Sequence, residues 1–183
     1  MNEPRTKYSP VAMILHWLIA FLVIFNWRAA EAAEHAAKAD KEVIMGNHFA
    51  IGVILLFLAI ARIAWRFASP PPPLASTLKP WEASLAKVTH LLLGLLVLLL
   101  PIGGWLAMSF YGQSIDVFGV FSLPPLPVSP DKDMAKTVFE AHGTVGKILV
   151  YLMFLHIAAS LKHTLLDKDG NLFRMLPFGK AKA

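Results

Sequence analysis

Three histidines in and just beyond one long apolar segment are the residues of this chain best suited to chemistry. His142 and His156 lie in the run 138–161, and His163 follows shortly after it. In an α-helix, the fourteen residues from His142 to His156 cover about 21 Å along the axis and leave the two rings about 40° apart around it. One helix would therefore direct an imidazole into a bundle near each of its ends, where imidazole can bind a metal or carry a proton.

The segments that must position these rings are apolar enough to cross a membrane. Of the 183 residues, 56% are hydrophobic and only 16% are charged, which is far from the average of soluble proteins. The apolar residues are concentrated in four runs, each close to the roughly 20 residues that a spanning helix needs. We predict an all-α fold: one domain over 1–183 that forms a transmembrane four-helix bundle, with spans over about 11–27, 43–65, 91–110 and 138–161.

The basic residues are distributed unevenly among the connecting segments. The two ends of the chain and the second loop hold eleven of the seventeen Lys and Arg residues, including Arg5 and Lys182. The first and third loops, together with Glu140 at the start of the fourth span, hold eight acidic residues against five basic ones. Since basic loops remain in the cytoplasm, both termini are predicted to be cytoplasmic. The pI of about 9.6 then reflects orientation and contact with anionic membrane lipid, and we predict no nucleic-acid partner.

Two further histidines complete an arrangement at two depths. His16 lies near the start of the first span, which we interpret as a retained helix because a cleaved secretory signal has no reason to contain this histidine. Up-and-down threading pairs His16 with His156 near the inner face, and His48 with His142 near the outer face. Two imidazoles from different helices at each depth are what two bis-histidine haem b groups require, an inner haem iron on His16 and His156 and an outer one on His48 and His142.

The residue types limit which cofactors can be present. The chain has no cysteine, which excludes disulfides, iron–sulfur clusters and thioether-linked haem. Glycines at 52, 94, 143 and 146 would let a macrocycle lie close to backbone. Other interpretations stay open: membrane histidines often hydrogen-bond to a neighbouring helix, as in a non-redox scaffold. A zinc or copper site is a further option, but ligands about 21 Å apart cannot share one ion.

Four more residues are candidates for contact with a quinone or with an outer substrate. His90 and His163 lie at the inner end, where a spare imidazole could hydrogen-bond a quinone oxygen or pass it a proton. Arg62 is a further candidate for contact with quinone or substrate, although arginine at a helix end is by default an interfacial anchor. Lys147 lies inside the outer face, where it could snorkel, pair with a haem propionate or attract an anionic substrate.

Outside the spans, the sequence predicts short surface elements. Residues 28–42 have the charge spacing of a separate surface helix, and an interfacial helix is predicted from about Trp81 to the third span. Residues 70–73 are four prolines and form a stiff spacer. The tail 167–178 is predicted to turn at 169–170 and then to lie on the membrane as a short amphipathic segment. The third loop, 111–136, indicates no chemistry.

Taken together, these residues resemble the bacterial cytochrome b561 family of small four-helix diheme inner-membrane proteins, and its superoxide:ubiquinone oxidoreductase (superoxide oxidase) members in particular. The resemblance covers nearly the whole chain. It rests on the following positions: Tyr8-Ser9, His16-Trp17, Asn47-His48, Ala61-Arg62 to Trp65-Arg66, His90, Pro101-Ile-Gly, His142-Gly, His156, His163 and Arg174-Met-Leu-Pro177.

The resemblance implies two haem b groups on the four paired histidines, and a place in the bacterial inner membrane. It also implies transfer of electrons from superoxide on the outer side to ubiquinone in the membrane. Related cytochrome subunits of hydrogenases and formate dehydrogenases share this architecture, so an anchor subunit that relays electrons between quinone and a partner enzyme is the alternative. The net negative charge of the outer loops gives little support for steering superoxide, unless Lys147 and nearby bases form a local funnel.

Overall fold

The computed structural model describes residues 6–180, which are mostly helical. Arg5 and Lys182, which entered the charge argument above, lie outside the described residues. The four long helices are α1, Pro10–His35; α2, Lys38–Ala68; α3, Pro80–Phe110; and α4, Lys132–Leu165. Two short strands, β1 (Ile115–Val117) and β2 (Phe121–Leu123), lie between α3 and α4, and a 3₁₀ helix over Asn171–Met175 follows α4.

Each predicted span lies inside one of these helices. All four helices are long and apolar enough to cross a membrane. Only 11% to 33% of the residues in their most apolar windows are buried within the protein. The exposed apolar surface that results is suited to lipid and would be a liability in water, so this is a multi-pass membrane protein.

Two details of the predicted architecture were wrong. The all-α prediction missed the antiparallel pair of β1 and β2, in which Ile115 faces Leu123 and Val117 faces Phe121. The separate surface helix over 28–42 does not form, because α1 continues to His35 and α2 begins at Lys38. The helix predicted from about Trp81 into the third span does form, since α3 runs without a break from Pro80 to Phe110. Alanine-rich and leucine-rich flanks have high helix propensity, so they extend the neighbouring helix in preference to forming a new one.

Local side chains determine where the helices begin. Ser9 caps α1 by accepting a hydrogen bond from the Ala12 amide, and Pro10 occupies the first helical position. Asp131 caps α4 by accepting from the amides of Asp133 and Met134. Both caps satisfy amides that a helix N-terminus leaves without an intrahelical partner.

The bundle has two chemically different ends. We call the end with the α1–α2 turn and the β1–β2 hairpin the hairpin end. Here Ala50, Val53 and Met108 form a buried cluster with Ile115 and Val117 of the hairpin. The opposite end, where α1 starts and α4 finishes, is the terminal end. The four helices therefore hold their histidines between two differently closed ends.

Hydrogen bonds tie the C-terminal segment to the terminal end. Arg174 donates to the Pro73 carbonyl, and its own carbonyl accepts from the Tyr8 amide at 3.1 Å. The Trp17 indole donates to the Met175 carbonyl at 2.7 Å. The amphipathic segment predicted to lie on the membrane is thus a 3₁₀ helix with a buried arginine, packed against the loop between α2 and α3.

Candidate functional site

The hairpin end brings together His48 of α2 and His142 of α4. Their ring centres are 6.1 Å apart, and the ring planes are inclined at 76°. The two residues are 94 positions apart in the chain, so the contact depends on the packing of α2 and α4 and not on local sequence. This is the outer pair that the sequence predicted, and the two rings meet edge-on from separate helices.

The backbone of α1 orients His48. The Nδ1 atom of His48 lies 3.1 Å from the carbonyl oxygen of Asn26. Because a carbonyl can only accept, we assign the proton to Nδ1, which leaves Nε2 with a free lone pair. A histidine held in this way by a carbonyl on its other nitrogen is the usual arrangement of a metal ligand.

Buried polar atoms beside this pair lack partners of normal geometry. The Oδ1 atom of Asn26 is buried and accepts no hydrogen bond within residues 6–180. The Nδ1 atom of His142 is also buried, and it faces the backbone of Leu100 without forming a hydrogen bond of normal geometry within the same residues. Buried polar atoms are normally paired, so Oδ1 of Asn26, which lines the cavity beside this pair, is an acceptor available to a bound group.

An apolar cavity of about 290 Å³ surrounds His48 and His142. All four helices contribute to its wall, which also includes Ile115 of the hairpin. A cavity of this size that is mostly apolar and has a few converging polar groups is typical of a cofactor site.

Glycines leave the space that makes this cavity possible. A Cβ atom added at Gly52, Gly143 or Gly146 would meet nothing within 4 Å, and all three line the cavity. Gly94, which was also predicted to make room, has open space beside it as well. Gly104 differs, since a Cβ there would lie 3.5 Å from Cε1 of His142 and would contact that ring directly.

Charged groups line part of the same cavity. Glu31 and Glu34 of α1 and Lys147 of α4 all belong to its wall. Lys147 is exposed and was a predicted candidate for contact with a propionate or an anionic substrate. The two carboxylates were not predicted as site residues, and they make the charge around the cavity mixed and not simply positive.

The terminal end brings together His16 of α1 and His156 of α4. Their ring centres are 6.2 Å apart and the planes are inclined at 80°. His90 of α3 joins them, with its ring centre 5.4 Å from that of His156. Three helices therefore supply three imidazoles at one depth, and the predicted inner pair has a third ring next to it.

Arg62 lies close to this second group of histidines. Its Nη1 atom donates to the Ala12 carbonyl at 3.2 Å. With Tyr8, Trp65 and Arg66 it lines a small cavity of about 40 Å³. Within residues 6–180, no carboxylate forms an ion pair with Arg62, so its charge is available to an anionic or strongly polar group.

His163 belongs to a polar cluster at the terminal end, and no described ring contact joins it to His16, His90 or His156. Its Nδ1 atom lies 2.7 Å from Oδ2 of Asp167 and 3.8 Å from Oδ2 of Asp169. Carboxylates on Nδ1 leave Nε2 as the ring nitrogen available to another molecule.

Lys162 occupies the centre of the same cluster. Its Nζ atom lies 2.7 Å from a carboxylate oxygen of Glu82 and 2.7 Å from one of Asp167. The hydrogen bond from Lys162 lowers the pKa of Asp167. Glu82, His163 and Asp167 have donor atoms close enough together for a metal ion, but the lysine ammonium already supplies the positive charge there.

Several of these residues had no role in the sequence-based interpretation. Asn26 is one that could have been found, since a polar residue within an apolar span is rare and usually functional. Asp167 and Asp169 lie in a charged tail that looks solvated in the sequence, and Glu31 and Glu34 lie in an alanine-rich stretch of ordinary surface character.

Comparison with known proteins identifies the family. Residues 7–178 match the sequence profile described as "Prokaryotic cytochrome b561". The chain belongs to the prokaryotic cytochrome b561 family.

Curated relatives agree with this cytochrome b561 assignment. The chain is 31% identical over 171 residues to "Probable superoxide oxidase CybB" of Yersinia pestis, covering 93% of this chain and 96% of that protein. It is 34% identical to "Cytochrome b561 homolog 2" of Escherichia coli K12 (96% and 93% covered) and 28% identical to "Cytochrome b561 homolog 1" of the same strain (93% and 97%). Membrane electron transfer through haem b is the shared chemistry of this family.

The geometry of this cytochrome b561 fits the cofactor of its family. With about 2 Å from metal to nitrogen and about 1 Å from nitrogen to ring centre, two axial imidazoles on one metal have ring centres about 6 Å apart. The pairs at the two ends have spacings of 6.1 and 6.2 Å. Together with the open space beside the glycines, each spacing is compatible with a haem held between two histidines.

Proposed function

We propose that this protein is a diheme cytochrome b561 that oxidises superoxide and reduces ubiquinone. In this proposal His16 and His156 hold one haem b at the terminal end, and His48 and His142 hold the second at the hairpin end. The observation that carries the proposal is the pair of histidine spacings, 6.2 and 6.1 Å, at two depths along α4. Bound haem supplies one-electron redox chemistry at each depth.

The protein's residues set the conditions for that chemistry. The Asn26 carbonyl holds His48 in one tautomer and one ring orientation. The apolar cavity wall excludes water, and Gly52, Gly143 and Gly146 leave room for a flat macrocycle beside the backbone. Fixed ligands and low water content limit the reorganisation that accompanies each electron transfer.

We assign the terminal end to the cytoplasm of a bacterium with an inner membrane. The basic residues of the α2–α3 loop and of the C-terminal segment support this orientation, as do the acidic residues around the hairpin end. Electrons then enter from the outer side at the hairpin end and leave at the terminal end.

The proposed reaction balances two superoxide anions against one ubiquinone. Two superoxide anions each lose one electron and leave as dioxygen. One ubiquinone takes up these two electrons and two protons from the cytoplasmic side to become ubiquinol. The name of the 31% identical Yersinia pestis relative, a probable superoxide oxidase, supports superoxide as the donor. Lys147, on the wall of the outer cavity, is the cation best placed to attract that anion.

The quinone is assigned to the terminal end. With both ring nitrogens protonated, His163 donates from Nδ1 to Asp167 and from Nε2 to a quinone oxygen. His90 and Arg62 lie next to the His16–His156 pair and offer further polar contacts. The Lys162 ammonium keeps Asp167 ionised, which in turn keeps the His163 ring oriented.

A second function is favoured by the carboxylates of the outer cavity. Glu31 and Glu34 line it together with Lys147, which is unfavourable for a small anion and suitable for a basic surface of a protein donor. In that case the protein is a cytochrome b anchor subunit that relays electrons between quinone and a partner dehydrogenase or hydrogenase.

Stopped-flow mixing of the purified protein with superoxide and a short-chain ubiquinone separates the two functions. Superoxide oxidation predicts ubiquinol formed in proportion to superoxide consumed, whereas an anchor subunit gives none. A preparation without haem absorption bands would exclude both and would leave a non-redox membrane scaffold.

A further inference from the structure

The loop between α3 and α4 contains a tight hairpin turn with an unusual residue in it. The Val120 amide donates to the Val117 carbonyl at 3.0 Å, which closes a four-residue turn. Its two central residues, Phe118 and Gly119, have φ of 54° and 71°. Two positive φ angles define a type I′ turn, where Asn or Asp normally precedes Gly. A bulky aromatic residue is disfavoured in the left-handed region, so Phe118 is held there despite a conformational cost.

The same turn presents an apolar surface. Phe118 is 53% exposed, Val120 81% and Phe121 45%. The nearby charged residue, Asp116, uses Oδ2 to accept from the Gly119 amide within the turn. We call Phe118, Val120 and Phe121 the hairpin tip, and it contains no charged residue. Asn or Asp at 118 would suit the turn better and would be well hydrated. The geometry of the turn therefore does not explain the aromatic side chain.

Contacts with the helices place this hairpin alongside α2 and α3. Ile115 and Val117 pack in one cluster with Ala50 and Val53 of α2. The contact between His48 and the Asn26 carbonyl puts His48 level with the end of the first apolar run. Ala50 and Val53 follow His48 by two and five residues, so they lie about 3 and 7.5 Å deeper.

A second contact gives the same depth independently. The Trp105 indole donates to the Pro124 carbonyl, just after β2, at 2.9 Å. Trp105 precedes Phe110, the last residue of α3, by five residues, which is about 7.5 Å along the helix. The end of β2 thus lies beside the last turns of α3 and not beyond the end of that helix.

We propose that the hairpin tip inserts into the lipid leaflet at the hairpin end, at the boundary between headgroups and acyl chains. The tip continues the exposed apolar surface of the four helices, and the nearest charge, the Asp116 carboxylate, accepts a hydrogen bond from the Gly119 amide of the turn. The opposite face of the same hairpin supplies Ile115 to the wall of the cavity around His48 and His142. Lipid therefore holds the hairpin in place as a side wall of that cavity. This inference does not depend on the identity of the electron donor or acceptor.

The absence of cysteine from the sequence allows a direct test. A spin label is attached to Val120→Cys in the haem-loaded protein, which is reconstituted in phosphatidylethanolamine–phosphatidylglycerol vesicles. Matched labels are placed at Lys38→Cys, at the start of α2, and at Leu99→Cys, which is 53% exposed on α3. Accessibility to oxygen, which concentrates in lipid, and to a water-soluble nickel chelate is measured by power saturation.

Insertion predicts a ratio of oxygen to nickel accessibility at Val120→Cys that is several-fold above that at Lys38→Cys and approaches that at Leu99→Cys. A ratio equal to that of Lys38→Cys would overturn the proposal, because the tip would then lie in water. Low accessibility to both reagents would also overturn it, because protein and not lipid would then cover the tip.

A second variant separates insertion from turn stability. Phe118→Asn suits the type I′ turn and removes the aromatic anchor, so we expect the label at 120 to become several-fold more accessible to nickel while the helical circular dichroism is retained. An unchanged label depth in Phe118→Asn would show that the aromatic ring does not anchor the tip.

Discussion

Replacement of His156 by alanine tests the independence of the two proposed haem sites. In α4, fourteen residues separate His156 from His142, so the two pairs lie about 21 Å apart along the helix. No residue contributes to both pairs, since the 6.2 Å contact joins His156 to His16 and the 6.1 Å contact joins His142 to His48. Loss of one ligand should therefore affect one haem and leave the other in place.

The expected magnitude follows from this count. His156→Ala should reduce the haem content from about two to about one per chain, and the α-band absorbance of the reduced protein by about half. His142→Ala should give the same loss, and the double variant should have no bound haem. A pyridine haemochrome assay on protein quantified by amino-acid analysis measures these ratios.

Two controls make the result decisive. His35→Ala removes an exposed histidine at the end of α1 and should keep both haems. His90→Ala in the His156→Ala background tests whether the third ring, 5.4 Å away, replaces the lost ligand. Loss of both haems from His156→Ala with retained helicity, or loss of none in the double His90 and His156 variant, would refute independent bis-histidine sites.

Three further predictions concern the cavity, the quinone end and pH. Gly146→Leu should fill open space beside His142 and lower the haem content by about half with the helices retained, as measured by absorbance and circular dichroism, whereas full haem content would show that the cavity is not the site. His163→Ala should keep both haems and slow ubiquinone reduction in stopped flow, and unchanged turnover would remove His163 from the quinone site. Because Lys162 lowers the pKa of Asp167 on folding, the stabilisation by this carboxylate should be complete above its ordinary pKa of about 3.9 and lost as pH falls towards the lowered value. The melting temperatures of the wild type and Asp167→Asn should therefore converge on acidification from pH 6 to pH 3, and a constant difference would contradict the assignment.

The histidine pairs could be predicted because helical geometry is local. Rise and rotation per residue are constant in an α-helix, so the depth of His142 and His156 follows from their positions in one apolar run. Charge placement then orders the spans, and opposite threading puts His16 and His48 at matching depths. The membrane itself makes this inference strong, since it requires spanning segments to be helical.

Contacts between distant segments were decided by the tertiary structure alone. The carbonyl that orients His48 belongs to Asn26, and Lys162 meets Glu82 of α3 only because α3 and α4 pack together at the terminal end. A backbone acceptor has no signature in sequence, and a charged tail has the same composition whether it is solvated or packed.

The β1–β2 hairpin is the clearest example of structure that the sequence alone does not predict. In sequence, residues 115–123 are a short apolar stretch between prolines and glycines, with no periodicity long enough to predict strands. Its conformation depends on packing against α2 and on a left-handed Phe118, which local propensity disfavours. The sequence by itself determined the four spans and the depths of their histidines, because these depend on composition and helical spacing. Only the tertiary structure decided the groups that orient those histidines and the loop that encloses them, because those depend on contacts between segments far apart in the chain.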